Sequence, residues 1–149
     1  MVRQPIQVLI YPARAVNGDW EYLLLRRTVS RGGFWQGVTG GVEAGEDILE
    51  AAKREFIEET GLVPVTMHRL DYSYAFPVED RWRDLYAEGV KEITEHVFVV
   101  QVDDQQAPII DPGEHDEWAW CGLDRALELR TWPENIEALR RCADYLKGR

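Results

Sequence analysis

The sequence is poor in cysteine, in positive charge and in long apolar runs, and each shortage excludes something. Cys121 and Cys142 are the only cysteines among 149 residues, and they form no Cys-x-x-Cys pair and no Cys/His cluster with zinc spacing. They read as two reduced thiols in or near a core, which fits a cytoplasmic chain. Lys and Arg number 17 against 27 Asp and Glu, for a formal net charge of -10. A nucleic-acid duplex or an anionic membrane would ask for a basic face, so neither is expected as a partner. No apolar run approaches the ~20 residues that span a bilayer, and Met1-Val2-Arg3-Gln4-Pro5 does not open a secretory signal. Neither a repeat nor a linker divides the chain, so residues 1–149 are read as one domain, burying roughly 68–70% of the surface the unfolded chain exposes.

Apolar patterning gives a coarse element order. Ile6–Tyr11 and Glu21–Arg26 are strand-like and flank the turn signal Asn17-Gly18-Asp19, which predicts a hairpin. The stretch 34–42 is glycine-rich and extended. Residues 47–60 predict a helix: Asp47 and Glu50 stand at capping-box spacing, Leu49, Ala52 and Phe56 form an apolar stripe, and Gly61 supplies the stop. One or two strands are expected in 65–76, then strands at 96–102 and 117–121. Thr131-x-x-Glu134, with Pro133 between, opens a last helix whose apolar positions are Ile136, Leu139, Ala143 and Leu146. This order predicts an α+β fold, a mixed sheet sandwiched between helices.

The negative charge is not evenly spread. Residues 41–60 hold seven acids and two bases, which is half of the net charge. Within the expected helix, Glu55 and Glu59 stand at i and i+4 and share a face, with Glu58 beside them. At ~5–6 Å and an effective dielectric of ~20, each carboxylate pair costs about 3 kcal/mol before water and salt reduce it. A divalent cation removes that conflict, and hard oxygen ligands combined with substrate phosphates are what Mg²⁺ favours.

From Gly40 the sequence runs Gly40-x5-Glu46-x7-Arg54-Glu55-Phe56-x-Glu58-Glu59-x-Gly61-Leu62. This resembles the complete box of the Nudix hydrolases, with nine specified positions filled across 23 residues. The resemblance implies the Nudix fold and an Mg²⁺-dependent pyrophosphohydrolase (Mn²⁺ is an alternative ion) acting on a nucleoside diphosphate linked to another group. By the same resemblance Glu55 and Glu59 are the principal metal ligands, Glu58 a ligand or the general base, and Gly40 a ligand through its carbonyl. Arg54 holds a carboxylate in orientation, and Glu114 is a further metal carboxylate or an alternative base.

Outside the box, Arg26-Arg27, Phe34-Trp35-Gln36-Gly37-Val38-Thr39, Tyr86-Ala87-Glu88-Gly89-Val90, Glu95-His96, Glu114-His115 and Thr131-Trp132 are similar to the branch acting on dihydroneopterin triphosphate and dATP. That similarity implies a small nucleotide-like substrate bound by Arg3, Arg26, Thr39, Tyr86 and Thr131. Trp35, beside the glycine loop, has the character to stack on a base or pterin. Two departures bear on the pocket: Trp118 stands where that branch has Tyr, and the loop from Arg27 to Phe34 is longer. Alternatives are an asymmetric diadenosine tetraphosphate hydrolase, although Val38-Thr39-Gly40 stands where those carry Pro-Lys-Gly, and an RNA 5′-pyrophosphohydrolase. A non-catalytic nucleotide-sensing domain of the same family is the alternative of another class, and such domains usually lose box carboxylates.

Overall fold

The computed structural model of the chain describes residues 2–103 and 106–149. Strands β1 (Ile6–Val16) and β2 (Asp19–Arg27) form the expected hairpin. Its turn residues Asn17 and Gly18 have φ of 53° and 84°, the left-handed pair that a tight two-residue turn requires. Both strands outrun their apolar stretches because polar cross-strand pairs extend the ladder, Arg14 Nε donating to Glu21 Oε1 at 2.9 Å. The glycine-rich stretch supplies β3 (Trp35–Gln36), which pairs with β2, and β4 (Val38–Gly41), which pairs with β1. Strand β5 (Pro64–Pro77) is one long strand whose register on β6 (Glu92–Val102) slips between Arg69 and Ser73. Strand β7 (His115–Gly122) pairs with β2. The result is a seven-stranded mixed sheet of order β3-β2-β1-β6-β5, with β4 also on β1 and β7 also on β2. Only the β1–β6 ladder is parallel among these pairings.

Alternate residues of the central strands feed two apolar layers. Val8, Ile10, Leu23, Leu25, Phe98 and Val100 face helix α1 (Ile48–Thr60). Leu9, Tyr11, Leu24, Val97 and Val99 face α2 (Leu123–Glu128) and α3 (Pro133–Leu146). Helices thus cover both sheet faces, the α+β sandwich that the pattern predicts. Cys121 and Cys142 are both free and buried. Among the described residues no helix is long and apolar enough to cross a membrane.

Two helix faces differ from the predicted stripes. Leu49 is 39% exposed, and α1 instead buries Ala51, Ala52, Phe56 and Thr60 against β1 and β4. The small alanines bring the helix close and leave Leu49 at the margin. Helix α3 buries Asn135, Ala138, Leu139, Cys142 and Leu146, with Ile136 and Ala143 only partly covered. Its face is turned by about one residue because hydrogen bonds hold Asn135 inward. Thr131 does not cap this helix, since its hydroxyl donates to Asn135 Oδ1 at 3.2 Å. Helix α2 went unpredicted because six residues are too few for helical periodicity to show.

Candidate active site

Helix α1 is fixed at both ends before its acids come into play. The Asp47 carboxylate accepts from the Leu49 and Glu50 amides at 3.1 and 3.4 Å. Gly61, at φ 66°, takes the left-handed conformation that closes the helix, its N–H bonding to Ile57 O at 2.9 Å. With the apolar face seated on the sheet, the rotation of the helix is set, and so is the side on which residues 54, 55, 58 and 59 emerge.

Arg54 is the hub of that side. Its guanidinium grips Glu46 with two bonds, Nε to Oε2 at 2.8 Å and Nη2 to Oε1 at 2.9 Å. Nη1 donates to Glu55 Oε1 at 2.8 Å and to Glu58 Oε2 at 3.3 Å, and Nη2 also reaches Gly41 O at 3.1 Å. The bidentate hydrogen bond to Arg54 holds the Glu46 carboxyl below its ordinary range. One side chain therefore ties the glycine strand β4, the loop before the helix and two box acids into a single rigid unit.

Glu59 lies deeper. Burial first, then the facing charges of Glu55 and Glu114, push its carboxyl up to about 8. Its Oε2 is buried and has no hydrogen-bond partner. Burial also raises Glu55, against the opposing pull of Arg54. Besides Arg54, the positive charges felt here are Arg27, which stabilises the Glu59 carboxylate, and Arg3, which does so more weakly for Glu55. His115, beside this cluster, is 2% exposed and lowered to about 4 by burial, so it is neutral at pH 7 and adds no charge.

This donor set fits a hard divalent cation. It offers ionisable oxygens that crowd one another, one buried oxygen without a partner, and a glycine where the carboxylate needs room. A Cβ at Gly40 would come within 2.0 Å of the Glu55 carboxyl carbon. Among the described residues, however, no three His, Cys, Asp or Glu groups already converge as a cage. Glu55 is turned onto Arg54, so closing around an ion requires that carboxylate to swing. Gly40→Ala is therefore expected to displace Glu55 by about 1 Å and to lower kcat by roughly 10²-fold. Steady-state rates against metal concentration check this: an unchanged kcat at saturating metal would remove the argument.

The substrate residues predicted from sequence fall in two places. Arg3 is clamped by the 85–86 backbone, its amide donating to Leu85 O at 2.7 Å, and its side chain lies over Gly41, with Nε 3.8 Å from Glu43. Tyr86 itself is 7% exposed and packs with Val78 and Ile93, so its segment holds Arg3 through main chain. On the α3 face of the sheet, Trp35 and Thr131 line one recess, and Thr39 lies on the same face, cross-strand from Leu9. Arg26 is also on that face, paired with Asp116 at 2.7 Å and Glu117 at 3.0 Å, with its guanidinium 5.9 Å from the Trp35 ring. The structure does not bring Arg26 to the box acids. Its neighbour Arg27 shares the α1-facing parity of Leu23 and Leu25 and is the arginine that meets Glu59 and Glu114. Period-2 counting along β2 was the available signal, but it needed the knowledge of which sheet face α1 covers. Gln36, Asn135 and Glu95 were likewise unassigned, and each is buried and polar.

Comparisons with known proteins agree with this geometry. The profile of the NUDIX domain matches residues 4–142. A Myxococcus xanthus protein named octanoyltransferase is 42% identical over 119 residues, which are 80% of this chain and 31% of that protein. The chain thus spans about a third of that relative. The dihydroneopterin triphosphate diphosphatase of Haemophilus influenzae is 27% identical over 142 residues, covering 93% of this chain and 85% of the enzyme. The crystal structure of a NUDIX hydrolase from Listeria monocytogenes superposes with a TM-score of 0.84 at 31% identity, covering 97% of this chain and 95% of that one. The chain belongs to the Nudix family.

Proposed function

We propose that this Nudix hydrolase cleaves the phosphoanhydride of a (deoxy)nucleoside triphosphate or of dihydroneopterin triphosphate, with Mg²⁺ as its ion. The observation that supports this most directly is the buried, unpartnered Glu59 oxygen facing Glu55 and Glu114 across from a glycine strand. Enzymes of the family generally use a divalent metal. When bound, such an ion lowers the pKa of a water and offsets charge on the phosphates. Glu55, Glu59, Glu58, Glu114 and the Gly40 carbonyl would hold it.

The remaining roles belong to the chain's own groups. Arg54 keeps Glu46, Glu55 and the Gly41 carbonyl in register. Arg3 would bring a guanidinium donor toward phosphate oxygens, Arg26 would bind beside Trp35 at the base end of the substrate, Thr39 and Thr131 would offer hydroxyls to the sugar or base, and Trp35 a flat apolar face. The Tyr86 segment holds Arg3 in place. Two carboxylates are candidates for the base that takes the proton of the attacking water: Glu114 beside Glu59, and Glu58, whose side chain is 58% exposed. The free thiols and the metabolite substrate support a cytoplasmic setting, and one sheet with helices on both faces supports a single domain across residues 1–149.

The deciding measurement is steady-state hydrolysis of dihydroneopterin triphosphate, dATP and diadenosine tetraphosphate in Mg²⁺, by wild type and by Glu58→Gln and Glu114→Gln. The base variant should lose about 10²-fold in kcat and lose the acid limb of its pH profile. Faster turnover of diadenosine tetraphosphate than of either triphosphate would replace the substrate reading. No hydrolysis of any member would favour a sensing domain.

A further inference from the structure

A second polar system runs through the apolar layer between the sheet and α3. Among the described residues Glu95 is the most deeply buried acid, at 3% exposure, and its partners are neutral. Gln7 Nε2 donates to one carboxylate oxygen and the Tyr74 hydroxyl to the other. The Tyr74 oxygen accepts from Asn135 Nδ2 at 3.0 Å. Asn135 Oδ1 in turn accepts from Gln36 Nε2 and from Thr131 Oγ1, each at 3.2 Å. One chain of hydrogen bonds therefore connects β6, β5, α3, β3 and the turn before α3.

The direction of every link follows from its buried end. Burial pushes the Glu95 carboxyl up to about 7, and above that value the carboxylate only accepts, so at pH 8 Tyr74 donates to it. Having spent its proton, the Tyr74 oxygen accepts from Asn135, and this turns the Asn135 amide so that its carbonyl faces Gln36 and Thr131. Thr131 then gives its single proton to Asn135 and keeps only lone pairs. Gln36 gives an N–H inward, which turns its own carbonyl the other way. Gln36, Thr131 and Asn135, together with Trp35, line a narrow recess of ≈ 10 Å³, room for one small polar group at the edge of a ring rather than for the ring itself.

We propose that Glu95, acting through Tyr74 and Asn135, is a positioning residue that makes this recess a hydrogen-bond acceptor and so selects a substrate heterocycle bearing an exocyclic amino group. The inference rests on the reading that the base of the triphosphate lies against Trp35 and Thr131. Glutamine at position 95 lifts the constraint, because its amide can donate to the Tyr74 oxygen. The Tyr74 proton then passes to the Asn135 carbonyl, that amide turns over, and Thr131 becomes free to donate toward the recess.

The test uses pairs of triphosphates that differ only by the amino group: dGTP against dITP, and dATP against the triphosphate of unsubstituted purine deoxyriboside. In wild type, at least one pair should be discriminated about tenfold or more in kcat/KM, and through KM. Glu95→Gln should bring that ratio to within about threefold while kcat for the non-amino member stays unchanged. Tyr74→Phe, which cuts the chain one link on, should do the same and serves if Glu95→Gln does not fold. Equal use of both members by wild type, or a ratio preserved in either variant, would overturn the proposal. Trp35→Ala separates the two levels: a raised KM for all four triphosphates supports the base site, and an unchanged KM removes both the base site and the role of Glu95.

Discussion

Glu59→Gln should lower kcat for phosphoanhydride hydrolysis by about 10²-fold or more while leaving the metal-free fold at least as stable at pH 8. The two effects share one cause. Burial, helped by Glu55 and Glu114, raises the Glu59 carboxyl from its ordinary 4.5 to about 8. Between those values the folded chain holds a proton that the unfolded chain has released. Stability therefore falls as pH rises through that window, and the penalty is complete above about 8. Glutamine keeps the shape and removes this pH-dependent loss, so the gap in thermal midpoint between variant and wild type should widen from pH 5 to pH 8. Added Mg²⁺ or Mn²⁺ should raise the wild-type midpoint most at high pH, where the carboxylate is ionised, and should raise that of the variant much less. A variant that loses activity and also unfolds more easily at pH 8 without metal would mean that Glu59 is a structural acid.

Arg54→Met should act in the opposite sense, costing stability and activity together. The arginine satisfies Glu46, Glu55 and the Gly41 carbonyl at once, and the Glu46 and Glu55 side chains keep only 16% and 14% of their surface in solvent. Removing one partner of a fully buried ion pair costs ~3–5 kcal/mol. Arg54 retains 29% exposure, so about 2–3 kcal/mol is the expected loss, or roughly 4–12 °C in thermal midpoint. Activity should fall further than folding explains, because Glu55 and β4 lose their common brace. Arg54→Lys should recover little, since an ammonium cannot make the two parallel bonds that Glu46 accepts. Calorimetry and kinetics on both variants check this, and a lysine variant with wild-type stability and rate would show that charge alone suffices.

The acidic helix was legible because its determinants are local. Cap, stripe, stop and acid spacing all lie between Asp47 and Gly61, and α1 forms over that span. The second half of the site was not. Whether Arg26 or Arg27 faces the acids depends on which sheet face α1 covers, and the slip of β2 on β7 at these two residues adds to the ambiguity. Glu95 meets Tyr74 across 21 residues and Gln7 across 88, and its burial has no local signature. Asn135 reads as a surface residue in the helical pattern and is held inward by Gln36 and Tyr74 from elsewhere in the chain, with Thr131 four residues before it. Leu49 shows the converse: an apolar residue at stripe spacing stays outside because two alanines already bring helix and sheet together.

The parallel β1–β6 ladder has a consequence for how the chain is made. Ile6 pairs with Thr94 and every later pair keeps that offset, so β1 leaves the ribosome ahead of a partner 88 residues behind it. At roughly 5–20 residues per second, the wait is on the order of 4–18 s. During that time the far end of β1, from Ala13 to Val16, can pair with β2 and Gln7 to Ile10 later with β4, leaving the other edge of the apolar stretch Val8-Leu9-Ile10-Tyr11 uncovered. Long-range closure of this kind also slows refolding from denaturant toward milliseconds or longer. The acidic helix can form early, but the floor on which it seats is finished only when the sixth strand arrives. Nascent chains that stall before residue 94 would therefore be the aggregation-prone species.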